Sequence, residues 1–410
     1  MNTIIAKQNI KKIQNGHLLS AKGYKAAGYH AGLRYSKKDL GIIVSDVEAN
    51  VAAVYTQSLV LAAPIIVTKD SISYSKKIQA IIVNSACANA CTGEQGLLDA
   101  YEMRNETAKK LGIENHLVAV ASTGVIGEYM KMDKIKAGIE AITPGTSFEH
   151  INDFETSILT TDTVTKNCAY SAEIAGKTVT VGGAAKGSGM IHPNMATMLG
   201  FLTTDANVSS DNLQKALSQV TDTTFNQITV DGDTSTNDMV IITANGLSQC
   251  EELTPSHPQW DTFVALVSAA SEDLAKKIAK DGEGATKLIE VTVEGAKTKA
   301  GARAIAKTIV GSSLVKTAIF GADANWGRII AAMGRSGVVF NPNEVDMFLG
   351  DILMLHNSTP VIFSESEAKV YLENSTISIK VVLKEGKEIG MAWGCDLTYE
   401  YVKINASYRT

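Results

Sequence analysis

The sequence predicts a mixed α/β fold in which helices pack on sheets. Apolar and polar residues alternate at 377–383, which is the pattern of a half-buried strand. Within 258–280, apolar residues recur at the spacing of one helix face: Phe263, Val267, Ala270, Leu274 and Ile278. Segments of both kinds are mixed along the whole chain, with no short repeat or low-complexity tract, so we expect the helices to cover sheets.

The first half of the chain is expected to alternate strands and helices. Residues 1–70 are predicted to be strands with short connections, and the helix that starts at Gln95 should stop at Gly112. The strands are predicted at 41–45, 51–56, 81–85, 117–121 and 178–181, and the helices at 95–111, 131–142 and 147–159.

The second half is expected to be richer in strands towards its end. Ser209 is predicted to cap a helix that runs to about Phe225, and Pro258 suits the first turn of the amphipathic helix. Further helices are predicted at 299–315 and from 321–328, and further strands at 289–293, at 377–383 and over the alternating residues Leu397, Tyr399 and Tyr401.

Composition excludes several classes of protein. The 410 residues carry a net charge of −5, whereas nucleic-acid binders are usually basic. No apolar run is long enough for a membrane helix, and the first residues lack a signal peptide, so a cytoplasmic enzyme without membrane contact is expected. The five cysteines are scattered, which predicts reduced, mostly buried thiols and no metal site.

The most informative stretch is 181–206. A glycine-rich run at 182–189 leads to Ala196 and Thr197, and apolar residues follow. Lys186 is followed by Gly187, which does not fit a P-loop, and His192 stands where a dinucleotide motif needs glycine. A threonine hydroxyl here could attack the preceding carbonyl, and the freed amine could then act as its base. The alternative is an ordinary loop that leads into a core strand.

The segment Lys186–Leu199 (KGSGMIHPNMATML) resembles the self-cleavage segment of the ornithine acetyltransferase family, also called the ArgJ or glutamate N-acetyltransferase family. In that family the precursor is cut between Ala and Thr, and the Thr carries the acetyl group. The resemblance therefore implies a self-cleaving enzyme with an N-terminal threonine nucleophile, of the ArgJ/aminopeptidase-like type. Cleavage between Ala196 and Thr197 would give an α chain, 1–196, and a β chain, 197–410, that share one intertwined core.

Two motifs outside that segment could contribute to catalysis and binding. Thr123 and Gly124 follow a buried strand, and they are either an ordinary turn or donors to a developing oxyanion. The resemblance implies the oxyanion hole. The run Thr160-Thr161-Asp162-Thr163 is either a turn or a binding motif, and the resemblance places a substrate-binding threonine in it, which we assign to Thr160.

Four further residues are assigned to substrate binding by the same resemblance: Lys186, Glu283, Asn405 and Thr410. On general grounds the lysine and the glutamate could simply be solvated, and chain ends are often disordered. The segment 231–238 (DGDTSTND) lacks the last ligand of a calcium loop and is expected to form a wall of the site. Ala86 and Cys87 depart from the family's usual Asn-Ser-Gly-Asn-Ala-Asn-Ala loop.

The function implied is acetyl transfer from N-acetylornithine to glutamate in arginine biosynthesis, by a ping-pong mechanism through acetyl-Thr197. No cofactor is needed, and whether acetyl-CoA also serves as a donor stays open. The resemblance also implies a heterotetramer of two α and two β chains. Two alternatives remain at this point: an N-terminal-nucleophile aminopeptidase or amidohydrolase, and a non-enzymatic binding protein.

Overall fold

The structure, a computed structural model, describes residues 9–192 and 198–407. In these ranges helices pack on two β-sheets, which confirms the predicted mixed α/β class. The strands are β1 Lys11–Lys12, β2 Tyr24–Tyr29, β3 Leu40–Tyr55, β4 Lys77–Asn84, β5 Val118–Ser122, β6 Lys166–Ile174, β7 Lys177–Lys186, β8 Leu199–Thr204, β9 Ile228–Thr229, β10 Met239–Ala244, β11 Leu288–Ala296, β12 Asp346–Leu349, β13 Ile352–His356, β14 Thr359–Pro360, β15 Thr376–Val382 and β16 Glu388–Cys395.

The α-helices in the same ranges are α1 Ala63–Ser75, α2 Gly93–Leu111, α3 Met132–Ala141, α4 Phe148–Ser157, α5 Ser210–Thr223, α6 Trp260–Lys280, α7 Lys299–Val310, α8 Ser313–Phe320, α9 Trp326–Gly334, α10 Glu365–Leu372 and α11 Tyr399–Ser407. None of the helices between residues 9 and 407 that the structure describes combines the length and apolar character needed to cross a membrane.

The larger sheet has the strand order β1-β6-β7-β8-β10-β3-β4-β5, with β2 also paired to β3. Strands β7 and β8 are antiparallel neighbours, in register from Val181 opposite Thr204 to Lys186 opposite Leu199. The chain between them contains Ala196 and Thr197. The two sides of the expected cleavage site therefore belong to adjacent strands at the centre of one sheet.

Alternating residues of this sheet enter two cores. Val240 and Ile242 of β10 pack with Leu274 and other residues of α6, whereas Met239 and Ile241 pack with Phe154 of α4. This division follows from the period of two along a strand. The smaller sheet, ordered β14-β13-β12-β15-β11-β16-β9, is covered by α7, α8, α9 and α10.

Most of the predicted elements are confirmed, with boundaries shifted by a few residues. Helix α2 ends at Leu111 because Gly112 adopts φ 68°, and Ser209 is the N-cap of α5. The expected buried face of α6 is buried, although that helix begins at Trp260, after Pro258. The thiols are free, and all are buried except that of Cys91.

Three predictions about secondary structure were wrong. Helix α1 begins at Ala63, within 1–70, where strands with short connections were expected. The helix expected at 299–315 is interrupted at Gly311 and Ser312. The alternating residues near 399 form α11, because Thr398 binds the Gly284 carbonyl and the backbone turns there. Strand β7 extends beyond the predicted 178–181 to Lys186, so the first part of the glycine-rich run is strand.

Candidate active site

A cavity of about 250 Å³ opens where the ends of several strands meet. It brings together the predicted site residues that the structure describes: Thr123, Gly124, Thr160, Lys186, Glu283 and Asn405. Met198, which directly follows Thr197 in the chain, also lines the cavity. Ala196, Thr197 and Thr410 lie outside the described residues.

Lys186 is the last residue of β7, and its side chain is buried rather than solvated. Its Nζ donates to Thr160 Oγ1 at 2.7 Å and to Thr123 Oγ1 at 3.3 Å. Burial lowers the pKa of this ammonium, and the carboxylate of Asp162 partly opposes the shift. The ammonium can hold a substrate carboxylate because the neighbouring hydroxyls do not neutralise it.

Asp162 is the centre of a buried charge network beneath Lys186. Its Oδ1 accepts from Lys166 Nζ at 2.7 Å and from the Gly187 amide at 2.7 Å, and its Oδ2 accepts from the Thr160 amide at 3.0 Å. Burial by itself would raise the pKa of Asp162, but Lys186 and Lys166 outweigh it and hold the pKa well below its usual range. Asp162 therefore fixes both Thr160 and the backbone after Lys186.

The run 160–163 divides into different roles. Thr160, which the resemblance assigns to substrate binding, lines the cavity together with Thr161, and its Oγ1 accepts from Lys186 Nζ. Thr163 faces away from Lys186, and its amide donates to Asp281 Oδ2 at 3.0 Å. Thr160 is thus the threonine of this run whose hydroxyl contacts Lys186.

Thr123 and Gly124 lie just beyond β5, where the chain must pass very close to Ala86. Gly124 has φ 129°, and a Cβ there would lie 2.4 Å from the Ala86 carbonyl carbon, so only glycine fits. The Thr123 hydroxyl accepts from Lys186, which leaves its own proton available to a third atom. The geometry suits a donor to an oxyanion inside the cavity.

Glu283 supplies a negative charge to the cavity, and its Oε2 accepts a hydrogen bond from Asn405 Nδ2 at 2.8 Å. The glutamate follows the end of α6, and its amide donates to the Ser188 carbonyl at 3.0 Å. A Cβ on Gly189 would lie 2.4 Å from the Glu283 carboxylate, so the missing side chain at Gly189 makes room for it. Because α11 docks beside Gly284, Asn405 reaches this carboxylate.

Segment 231–238 forms one wall, as expected, and it ties separate loops together. Asn237 Nδ2 donates to the Ser122 carbonyl at 2.8 Å and also to the Ala88 carbonyl. Asn84 orders the loop that departs from the family pattern, since its Oδ1 accepts from the amides of Ala86 and Cys87. The altered residues are thus held by the loop's own asparagine.

Several site residues were not identified from sequence. Asp162 lay inside the run from which only Thr160 was chosen, and Asp231 and Asn237 lay in a segment assigned to a wall without individual roles. Arg34, whose guanidinium donates to the Leu159 and Thr160 carbonyls, stood in no motif at all. These residues act on backbone groups far away in sequence, and no local pattern reports such contacts.

Comparisons with known proteins assign the chain to a family. A model of the ArgJ family matches residues 25–410. The arginine biosynthesis bifunctional protein ArgJ of Geobacillus kaustophilus is 62% identical over 401 residues, which are 98% of each chain. The protein of the same name from Bacillus subtilis is 59% identical over 408 residues, which are 99% of each chain.

A solved structure agrees with these matches. The crystal structure of the arginine biosynthesis bifunctional protein ArgJ from Bacillus halodurans superposes with a TM-score of 0.51 at 59% identity, and the match covers 52% of this chain and 100% of the crystal chain. The family match over most of the chain and the identity to these relatives together establish that the chain belongs to the ArgJ family.

Proposed function

We propose that the chain is a glutamate N-acetyltransferase that moves the acetyl group of N-acetylornithine to glutamate, after cutting itself between Ala196 and Thr197. It is an acyltransferase of arginine biosynthesis, in keeping with the names of its relatives. The observation that carries the proposal is the cavity, where oxyanion donors, an ammonium and a carboxylate surround Met198, the residue after the proposed nucleophile.

The two charges of the cavity match the proposed donor. N-acetylornithine carries a carboxylate next to its acetylated nitrogen and an ammonium at the end of its side chain. Lys186 supplies a buried positive charge for the carboxylate, and Glu283 supplies a negative charge for the ammonium. Thr160 is hydrogen-bonded to Lys186, and Asn405 is hydrogen-bonded to Glu283. Each charged side chain therefore has a neutral hydrogen-bonding partner. We also assign Thr410 to substrate binding, from the resemblance alone.

In the proposed self-cleavage, the Thr197 hydroxyl adds to the carbonyl carbon of Ala196. The peptide C–N bond then breaks as its nitrogen takes up a proton, and water hydrolyses the resulting ester. The products are a carboxylate at Ala196 and a free amine at Thr197. In the acetyl cycle the same hydroxyl attacks the acetyl carbonyl of N-acetylornithine, the amide C–N bond breaks, and ornithine leaves as its nitrogen takes up a proton. The amine of glutamate then attacks the acetyl ester, loses a proton and restores the Thr197 hydroxyl. Thr123 and the Gly124 amide line the cavity as the proposed donors to the oxyanion of both steps.

The fold is compatible with a cut at this position. Strands β7 and β8 remain paired on either side of it, so the pieces 1–196 and 197–410 would stay joined in one sheet. The Bacillus halodurans crystal chain corresponds to 52% of this chain. Residues 197–410 are 214 of 410, which is the same share. A crystal chain of this length supports the proposal that these proteins are processed into two pieces.

The test is a denaturing gel of the purified protein with N-terminal sequencing of the smaller bands. Two bands, one beginning at Thr197, are expected, and Thr197→Ala should leave one uncut chain. An intact wild-type chain with full activity would contradict the mechanism. Assaying acetate against N-acetylglutamate separates the transferase from the alternative, an N-terminal-nucleophile hydrolase that releases the acyl group to water. Adding acetyl-CoA with glutamate tests the second donor.

A further inference from the structure

Residues 229–239, which we call the clasp, bind the chain on both sides of the proposed cleavage site. On the upstream side, the Val230 amide donates to the Ile191 carbonyl at 2.7 Å, and Thr234 Oγ1 donates to the His192 carbonyl at 3.0 Å. On the downstream side, the Met239 amide donates to the Met198 carbonyl at 2.9 Å. One continuous segment thus fixes where the chain enters and leaves residues 193–197.

Asp231 forms the tightest part of the clasp. Its Oδ2 accepts from the Met190 amide at 2.6 Å, and its Oδ1 accepts from the Ile191 amide at 2.9 Å. A third amide, that of Asp233, donates to Oδ1 at 3.1 Å and closes the turn. Hydrogen bonds to a carboxylate are stronger than those to a neutral acceptor. Two successive amides of the chain upstream of the proposed cleavage site are therefore held by a single side chain.

These contacts hold a strained residue. Met190 has φ 55°, a left-handed conformation that costs free energy for a residue with a side chain. Such a conformation persists where surrounding contacts enforce it, and the carboxylate of Asp231 contacts the Met190 amide directly. The left-handed turn redirects the chain seven residues before Thr197.

The clasp is also held by a residue of α8. Lys316, on α8, is buried, and its Nζ donates to the Val230 carbonyl at 2.6 Å. The same residue's carbonyl accepts from the Leu397 amide, just ahead of α11. The clasp is therefore hydrogen-bonded to a buried lysine in the helical layer of the smaller sheet.

We propose that Asp231 is a positioning residue for self-cleavage, which holds the left-handed turn at Met190 and thereby the direction in which the chain approaches the proposed cleavage site. This inference rests on the proposed function, because it presumes a cut at that bond. Asp231 takes no part in the bond changes. Its effect should appear in the rate of cutting.

The test compares Asp231→Asn with Asp205→Asn. Asp205 is a buried carboxylate that also accepts from two backbone amides, those of Lys22 and Thr180, and it lies outside the cavity lining. Freshly synthesised chains are sampled over time on denaturing gels, and their melting temperatures are measured. We expect Asp231→Asn to slow cutting by roughly tenfold to a hundredfold, the effect of losing one hydrogen bond to a charged group, while Asp205→Asn cuts at the wild-type rate.

A rescue distinguishes positioning from a general loss of stability. Glycine adopts the left-handed conformation without strain, so the double variant Asp231→Asn/Met190→Gly should cut faster than Asp231→Asn. Thr234→Val, at an exposed position, removes the bond to His192 without threatening the fold and should slow cutting severalfold. The readout is the rate of cutting alone, because Asp231 and Met190 both line the cavity.

Three outcomes would overturn the inference: unchanged cutting in both Asp231→Asn and Thr234→Val, equal slowing in Asp205→Asn, or no rescue by Met190→Gly. The same experiment tests the proposed function separately. If the wild-type chain is never cut before Thr197, the proposed function fails as well. If the wild type is cut and Asp231→Asn is cut equally fast, only the role of Asp231 is lost.

Discussion

The carboxylate of Asp162 lies 3.9 Å from the ammonium of Lys186, and both side chains are almost completely shielded from solvent. Asp162 also binds Lys166, which in turn binds Asp281, so two positive and two negative charges alternate beneath the cavity. Burying charges is costly unless each one has a partner. The network therefore couples the stability of the fold to the charge of Lys186.

Asp162→Asn is expected to lower the free energy of unfolding by about 3–5 kcal/mol at neutral pH, the usual effect of removing one partner from a buried ion pair. The pKa of Asp162 is lowered in the folded protein. Its contribution is therefore complete above the unfolded pKa of about 3.9 and is lost as the pH falls towards the folded pKa. Urea unfolding at neutral pH and at about pH 3 should show the difference from wild type shrinking. A difference that does not depend on pH would contradict this.

On the alkaline side of the pH profile, Asp162→Asn should lose activity at a lower pH than the wild type does. Burial lowers the pKa of Lys186, Asp162 and Asp238 raise it, and Lys166 and Arg34 lower it. Removing the charge of Asp162 lowers it further, so the ammonium that binds a substrate carboxylate is lost sooner. The measurement is kcat/KM against pH, with Asp205→Asn as a control. An unchanged alkaline limb would show that Lys186 does not act as an ammonium.

Gly189→Ala is expected to weaken binding of N-acetylornithine more than it weakens the fold. The new Cβ would lie 2.4 Å from the Glu283 carboxylate, which is the end of a side chain that can swing aside. The displaced carboxylate would lose its contacts with Asn405 and with the substrate ammonium. KM for N-acetylornithine should therefore rise, while kcat changes less.

Gly334→Ala is the matched control, because a Cβ at Gly334 meets no atom within 4 Å. That variant should keep the wild-type KM, and its helix position should make it neutral or slightly stabilising. Equal KM values in both variants would show that Glu283 does not bind the ammonium of the substrate.

Thr123→Ala should slow turnover by roughly 10²–10³ fold, the usual effect of losing one oxyanion donor. Self-cleavage should slow as well if it uses the same donors. Thr123→Ser keeps the hydroxyl that accepts from Lys186, so it should retain most of the activity. Initial rates at saturating substrate measure the effect, and normal turnover in Thr123→Ala would exclude the residue from the oxyanion hole.

The sequence was most informative where function is concentrated in short motifs. Thr123, Lys186 and Glu283 could be named because the segments around them resemble those of the ornithine acetyltransferase family, and the structure brings all three to one cavity. Their partners could not be named. Asp281 binds Thr163 from 118 residues away, and Asn237 binds Ser122 from 115 residues away. Contacts of this kind depend on the packing of the sheet, which local patterns do not encode.

The wrong secondary-structure predictions have the same origin. Residues 1–70 were expected to be strands with short connections, but Thr68 bonds to the backbone of Val120 and holds α1 against β5. In α11 the alternating residues suggested a strand, but Tyr399 is exposed and Tyr401 meets the cavity. Tertiary contacts outweigh local propensity at both places.

The acetyl group should pass through Thr197 in a ping-pong reaction. A threonine hydroxyl is a weak nucleophile and needs an adjacent base. His192 is poorly suited to that role, because burial lowers its pKa to about 4 and its Nδ1 lies 2.9 Å from Thr229 Oγ1. The free amine of Thr197 remains as the candidate base. Activity should therefore fall as the pH drops below the pKa of that amine, which is about 7.7–8.0 when unperturbed.

Double-reciprocal plots with N-acetylornithine and glutamate should be parallel, since ornithine leaves before glutamate reacts. Without glutamate, mass spectrometry should find about 42 Da added to the piece that begins at Thr197, the mass of an acetyl group replacing hydrogen. The matched sample is the Thr123→Ala variant, whose slower acetylation should reach the same final mass because its nucleophile is intact. Intersecting plots without an acetylated piece would instead indicate direct transfer between two bound substrates. Thr197 would then not be the acetyl carrier, and the cavity would have to hold donor and acceptor together within its 250 Å³.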